Sequence, residues 1–212
     1  MTTFLSDDFE TFPTGWGTKV LKGGTITKDG SRSHGGSYSC KIDSLADASC
    51  AWAARNFTRI EAVSHHTKMW VYIDGSSTAD NDVVVFEDYD AIGGKYAAIA
   101  MIKYHDGAYY LRNQKHEGPE DVCTLSADGW HEIDAYYNFS TGKINYYADG
   151  VKKGGDWSSY SGAGARPSRV YVGDVSNVAY LGNGYVWLDD LIIDDETVGA
   201  VASRRLLVGV GL

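Results

Sequence analysis

The stretch that most restricts what this chain can fold into is Trp130–Gly150. Two runs rich in β-branched and aromatic residues flank Ser140-Thr141-Gly142, and a second turn signal, Asp149-Gly150, closes the second run. In the first run Ile133, Ala135, Tyr137 and Phe139 alternate with Glu132, Asp134, Tyr136 and Asn138. Successive side chains of a strand point to opposite faces, so this spacing predicts a hairpin with one buried face and one polar, aromatic face.

The same grammar recurs along the chain. Residues 18 to 28, 37 to 42, 67 to 73 and 83 to 89 read as strands, and 95 to 104 with 108 to 114 read as a hairpin about His105-Asp106-Gly107. Residues 169 to 172 and 185 to 193 supply two more strands. Residues 45 to 57 suit a helix by their Ala, Leu and Arg content, but the alternation of Cys50, Trp52 and Ala54 with Ala51 and Ala53 suits a buried strand, which the β surroundings favour. The segment from Lys115 to Asp128 reads as a long polar loop, and Gly154 to Pro167 as a Gly/Ser-rich one. With turn signals throughout and no amphipathic helix, the expectation is an all-β, two-sheet antiparallel jelly-roll β-sandwich of roughly a dozen strands. At 212 residues and 43% hydrophobic content, one sandwich over residues 1–196 is expected.

Residues 197–212 differ. They run through Arg204, Arg205, Leu206, Leu207 and Val208 to a Gly-punctuated end. The segment is expected to be either a last strand lying on its own sandwich or an arm that adds a strand to the open edge of another subunit.

A formal charge of -9 argues against nucleic acid as a partner, because binding phosphates needs clustered Lys and Arg. No apolar run is long enough for membrane insertion, and the first residues lack the basic and apolar regions of a signal peptide. A cytosolic product, or one released inside a virus particle, is expected. Of three cysteines, Cys40 and Cys50 are read on neighbouring strands, where a bridge is geometrically open; buried thiols suit a reducing compartment better.

The order of several short motifs carries a resemblance. An opening Asp7-Asp8-Phe9-Glu10 is followed by Gly36-Ser37-Tyr38-Ser39 before an apolar strand. Gly129-Trp130-His131 precedes Ser140-Thr141-Gly142 and a strand ending Asp149-Gly150-Val151, and the last core strand carries Leu188-Asp189-Asp190-Leu191-Ile192-Ile193. This pattern, over about residues 4 to 195, resembles the concanavalin A-like lectin/glucanase superfamily in its LamG-like jelly-roll branch, of the kind found in phage virion proteins. The resemblance implies two antiparallel sheets, one concave. Its members include lectins, adhesive modules, glycoside hydrolases and polysaccharide lyases, so it leaves function to the site residues.

A retaining glucanase of that superfamily needs two glutamates on alternate positions of one strand. Around Glu87 the alternate positions hold Tyr89 and Ala91, so the motif is broken. A lyase needs a Tyr or His base and an Arg or Gln beside the sugar carboxylate. Tyr109, Tyr110, Arg112 and Gln114 offer these residue types without the sequence patterns of alginate lyases. Glycan binding asks for exposed rings beside planar polar groups. Trp70, Tyr72, Tyr110, Arg112, Asp134, Tyr136 and Asn138 are the candidates for lining a concave sheet; alternatively Trp70 and Tyr72 are core, with Met69, Val71 and Ile73 turned away from it.

Hard oxygen donors at Asp7, Asp8 and Glu10, and at Asp189, Asp190 and Asp194, are candidates for a structural Ca²⁺. His65 and His66, being adjacent on a strand, must face opposite sides and cannot share one ion. The resulting expectation is a non-catalytic virion-associated protein, in capsid decoration or the tail, with a carbohydrate-adhesion role. Its partners would be surface glycans and other virion proteins or copies of itself, in the virion or in host cytoplasm during assembly. The alternatives are a polysaccharide lyase or glycoside hydrolase, and a stand-alone lectin.

Overall fold

A computed structural model describes residues 2–21, 24–44, 50–76, 81–173 and 184–195. Its strands are β1 (Thr3–Asp7), β2 (Gly17–Leu21), β3 (Thr25–Asp29), β4 (Ser39–Ser44), β5 (Cys50–Asn56), β6 (Ser64–Ile73), β7 (Asn81–Asp90) and β8 (Lys95–His105). There follow β9 (Ala108–Lys115), β10 (Gly118–Leu125), β11 (Gly129–Asn138), β12 (Lys143–Ala148), β13 (Val151–Ser158), β14 (Arg169–Gly173) and β15 (Gly184–Asp194). They form two antiparallel sheets, as a jelly roll requires. The first runs β13-β12-β11-β6-β15-β4-β3, with β1 also pairing β15; the second runs β10-β9-β8-β7-β14-β5-β2.

The hairpin about Gly142 sits within the first sheet, with β11 paired to β12 on one side and to β6 on the other. Ile133, Ala135, Tyr137 and Phe139 are all buried between the sheets, as their alternation requires. On β6 it is Met69, Val71 and Ile73 that are buried, so Trp70 and Tyr72 point outward and the reading that makes them core is excluded. The spacing between His131 and Asp149 also has a structural cause. His131 Nδ1 lies 2.9 Å from Asp149 Oδ2, and the Glu132 N–H donates to Asp149 Oδ1, so the second turn is clamped to the start of β11.

The Asp189-Asp190 pair marks a bulge. Asp190 has φ 49°, and the β15–β6 register shifts between Asp189 and Ile192. The extra residue puts Leu188 and Leu191, three apart, on the same buried face. Before the bulge β15 pairs β4; after it β15 pairs β1.

Three expectations are corrected. Residues 18 to 28 are two strands in opposite sheets, β2 and β3, because the chain crosses over between them. β4 and β5 likewise belong to opposite sheets, so Cys40 and Cys50 are not on neighbouring strands, and Cys40 is a buried free thiol. The segment from Lys115 to Asp128 is not simply a loop: it contains the edge strand β10, paired along β9. Its polar composition suits an edge, where one side of the ladder meets water. The segment 197–212, including Arg204, Arg205, Leu206, Leu207 and Val208, lies outside the described residues.

Candidate functional site

The outward faces of the two sheets divide the predicted binding residues between them. Trp70, Tyr72, Asp134, Tyr136 and Asn138 lie on the outer face of the first sheet, whereas Tyr110 and Arg112 lie on β9 in the second. They cannot line one surface. Alternation places residues correctly on a strand but does not say in which sheet the strand is laid.

The aromatic side chains of the first face are largely covered by the protein itself. His34 stacks on Trp70 at 3.7 Å, Arg32 lies over Tyr72 at 4.3 Å, and Lys41 lies over Tyr185 at 4.2 Å. Asp134 is buried and binds His66, whose Nδ1 is 2.9 Å from its Oδ1. Tyr136 packs beside the His66 ring at 4.9 Å. The Asn138 carboxamide oxygen accepts from the N–H groups of Ser140 and Thr141, so this residue shapes the hairpin turn.

The acidic residues predicted for calcium are likewise engaged. Asp7 pairs with Arg55 and accepts from the Trp16 indole and the Phe9 N–H. Glu10 accepts from the Ser37 and Tyr38 N–H groups, and Asp189 from those of His34 and Gly35. Asp190 meets the His34 ring at 2.7 Å, and Asp8 accepts from the Glu10 N–H. Asp194 is buried and pairs with Thr3 in the β1–β15 ladder. These carboxylates fasten the 31–38 loop and β1 to the end of β15. Among the described residues no group of three or more His, Cys, Asp or Glu is placed to hold a metal.

The second face is different. Here Val84, Ile99 and Met101 form a small apolar floor on the outside of the sheet, all at or below 4% exposure, with Tyr96 and Tyr160 packed on it. Glu87 sits in the middle of β7, opposite Tyr171 on β14 and Ile99 on β8, and is 6% exposed. Around it a ribbon of six rings crosses the sheet. Trp52 meets Tyr171 at 5.4 Å, Tyr171 meets Tyr89 at 5.8 Å, and Tyr89 meets Tyr96 at 5.0 Å. Tyr96 then meets Tyr160 at 5.6 Å, and Tyr160 meets His116 at 5.7 Å. None of the six is fully buried, so the ribbon presents ring surface to solvent.

Polar groups border the ribbon at both ends. Arg169 donates from Nη1 to the Tyr171 hydroxyl at 3.1 Å and from Nε to Asn56 at 2.7 Å. On β9, Arg112 pairs with Asp121 at 2.6 Å, and the neighbouring Gln114 has a buried side-chain oxygen with no hydrogen-bond partner among the described residues. Burial, and then the charge of Glu87, pushes the Tyr96 hydroxyl up to about 12, so it keeps its proton through the neutral range. Tyr109, the other lyase candidate, turns toward the core and donates its hydroxyl to the Asp74 carbonyl.

Sequence reasoning drew attention to Glu87, Tyr110, Arg112 and Gln114 but missed the ribbon. Its members come from β5, β7, β8, β14 and two connections, and no local spacing links them. The alternate pair Arg169 and Tyr171 was the one nearby signal.

No protein-family model matches this chain, and no curated protein matches it. Solved structures do. The cellulose-induced protein Cip1 is similar at 19% identity over 92% of this chain and 99% of its own, with a TM-score of 0.64. A carbohydrate esterase from the Shiga toxin-encoding bacteriophage phi24B is similar at 14% identity over 91% of this chain and 97% of its own, with a TM-score of 0.67. The endo-β-1,4-glucuronan lyase of the fungus Trichoderma reesei is similar at 14% identity over 91% and 95%, with a TM-score of 0.59. At such identities the likeness is one of fold: this chain is a jelly-roll sandwich of the architecture found in carbohydrate-related proteins. The expectation of a non-catalytic protein is overturned by the same comparison. Two of these similar structures are named as enzymes, so this architecture does not exclude enzymatic activity.

Proposed function

We propose that this protein engages a polysaccharide along the ribbon Trp52–Tyr171–Tyr89–Tyr96–Tyr160–His116 on the outer face of the second sheet. The observation that carries this reading is the ribbon itself. It is a continuous track of half-exposed rings over an apolar floor, bordered by guanidinium, carboxamide and carboxylate groups. Sugar rings stack their C–H faces on such surfaces while their hydroxyls reach the polar border. Arg169 at one end suits a sugar carboxylate, which favours a uronate-containing chain.

The placement of Glu87 and Tyr96 favours action on that chain as well as binding. A nearly buried carboxylate beside a phenol that stays protonated is a pair suited to moving protons. Hydrolysis of a glycosidic bond asks for two carboxylates. Among the described residues of this face, Glu87 is joined by Asp121, which is paired with Arg112, while Asp88 turns inward. β-Elimination fits better: a base takes the proton next to the uronate carboxylate, the C–O bond to the leaving sugar breaks, a C=C bond forms, and the leaving oxygen is protonated. The likeness to a glucuronan lyase supports this reading. A virion setting is a separate proposal, favoured by the bacteriophage origin of one similar structure.

The test is a panel of uronate-containing and neutral polysaccharides, assayed for retention of the protein and for release of unsaturated or reducing ends. Retention by a uronate chain, lost in Tyr89→Ala and weakened in Arg169→Ala, is the expected result, with unsaturated ends lost in Glu87→Gln. No retention by any polymer would overturn the binding reading; retention without product would overturn the catalytic one.

A further inference from the structure

A cavity of about 220 Å³ opens on the opposite face of the sandwich, where β1, β15, β6 and β11 lie side by side. Three of its lining residues fall in one row across the strands: Ser6 is paired with Ile192, and Ile192 with Lys68. In the next row Trp70 faces Glu132 across β6 and β11. The lining is therefore apolar at Trp70 and Ile192 and polar at Ser6, Lys68 and Glu132. Ile192 is 36% exposed. His34 stacks on one face of Trp70, and Trp70 lines the cavity.

Within the described residues no hydrogen bond or ion pair engages the Glu132 carboxylate, and the Lys68 ammonium reaches only Asp134, at 4.0 Å. A carboxylate and an ammonium thus stand beside a tryptophan ring and an isoleucine, in a space the size of one sugar ring. We infer that this cavity is a second carbohydrate subsite, taking a single hexopyranose that carries no carboxylate. The sugar's C–H face would meet Trp70 and Ile192, its hydroxyls would donate to Glu132, and Lys68 and Ser6 would donate to its oxygens. Charge sets the exclusion. Asp8, Glu132 and Asp190 line the cavity, with Lys68 the one cation in its lining among the described residues, while the Asp7 carboxylate is turned to Arg55 and the Trp16 indole, so a uronate would bring a further negative charge among three carboxylates. This site is independent of the ribbon and of its proposed substrate.

The experiment is a titration of the whole chain with glucose, galactose, glucosamine and glucuronate, following the Trp70 indole N–H resonance, assigned by its loss in Trp70→Phe. A saturable shift at millimolar concentrations with at least one of the first three sugars, and none with glucuronate, is expected. Glu132→Ala, which removes no intramolecular side-chain bond among the described residues, should weaken the binding about tenfold. Tyr89→Ala, on the other face, should leave it unchanged. No saturable shift with any hexose, an equal shift with glucuronate, or undiminished binding in Glu132→Ala would each overturn the inference. Failure of the ribbon reading would instead appear as loss of polysaccharide retention with this titration intact.

Discussion

His65 on β6 reaches across the sandwich to Asp88 on β7: Nε2 lies 2.9 Å from Oδ2, and neither residue is exposed. Thr67 donates to the same carboxylate oxygen at 2.7 Å, so polar bonds join the two sheets through the interior at this point. Removing one partner strands the other away from water, at a typical loss of about 3–5 kcal/mol, whereas replacing both by apolar residues of similar volume is often near neutral. Asp88→Leu alone should therefore unfold at much lower urea concentration than the parent. The double variant with His65→Leu should recover a large part of that loss. Equal instability of the single and double variants would show that shape, not pairing, governs the position.

Gly142 closes the β11–β12 hairpin at φ 66°, and a Cβ there would come within 2.4 Å of the Gly162 and Ala163 backbone. Both the conformation and the approach require glycine. Gly142→Ala should lower stability by more than about 1 kcal/mol, read as a drop in urea midpoint, because backbone rather than a flexible side chain would have to move.

Asp189 has its carboxyl pushed up to about 6 by burial, with the charge of Asp190 adding to this, against the lowering effect of the His34 and Gly35 N–H bonds. Its folded value lies above its unfolded one, so its contribution to stability is full at acid pH and is lost as pH rises between about 4 and about 6. By neutral pH that loss is on the order of 2 kcal/mol. Asp189→Asn keeps an acceptor for the loop and removes the titration. Urea midpoints measured across this window should lose that component of the downward trend in the variant. His34, paired with Asp190, also faces this group, and a parallel series in His34→Gln separates its part.

Tyr96 should ionise late. With its hydroxyl raised to about 12 by burial and by Glu87, it stays neutral when exposed tyrosines have already lost their protons. Near-ultraviolet titration of tyrosinate should show the late fraction reduced in Tyr96→Phe. In Glu87→Gln, the Tyr96 ionisation should move to lower pH. An unchanged curve in Glu87→Gln would separate the two groups and weaken the proton-transfer reading.

How much was legible in the sequence differs between fold and site. The alternation of Ile133, Ala135 and Tyr137 located a buried strand face, and Ser140-Thr141-Gly142 located the turn, because both depend on neighbours within a few residues. The opposed directions of His65 and His66 followed from the strand period in the same way. Strand directions and turns were thus determined locally. Sheet membership was not: β2 and β3, or β4 and β5, follow one another along the chain yet belong to different sheets.

That distinction explains the site. Trp70 and Tyr110 have the same local signature, an outward ring on an alternating strand, but crossovers place them on opposite faces. Only the tertiary structure decided that His34, Arg32 and Lys41 cover the rings of the first face. It also brought Trp52, Tyr89, Tyr96 and Tyr171 together over Glu87 on the second. The sequence by itself determined which side of each strand is apolar, since that depends on a two-residue period. Which polar faces share a surface depends on contacts between residues far apart in the chain, and those exist only once the sheets have closed on each other.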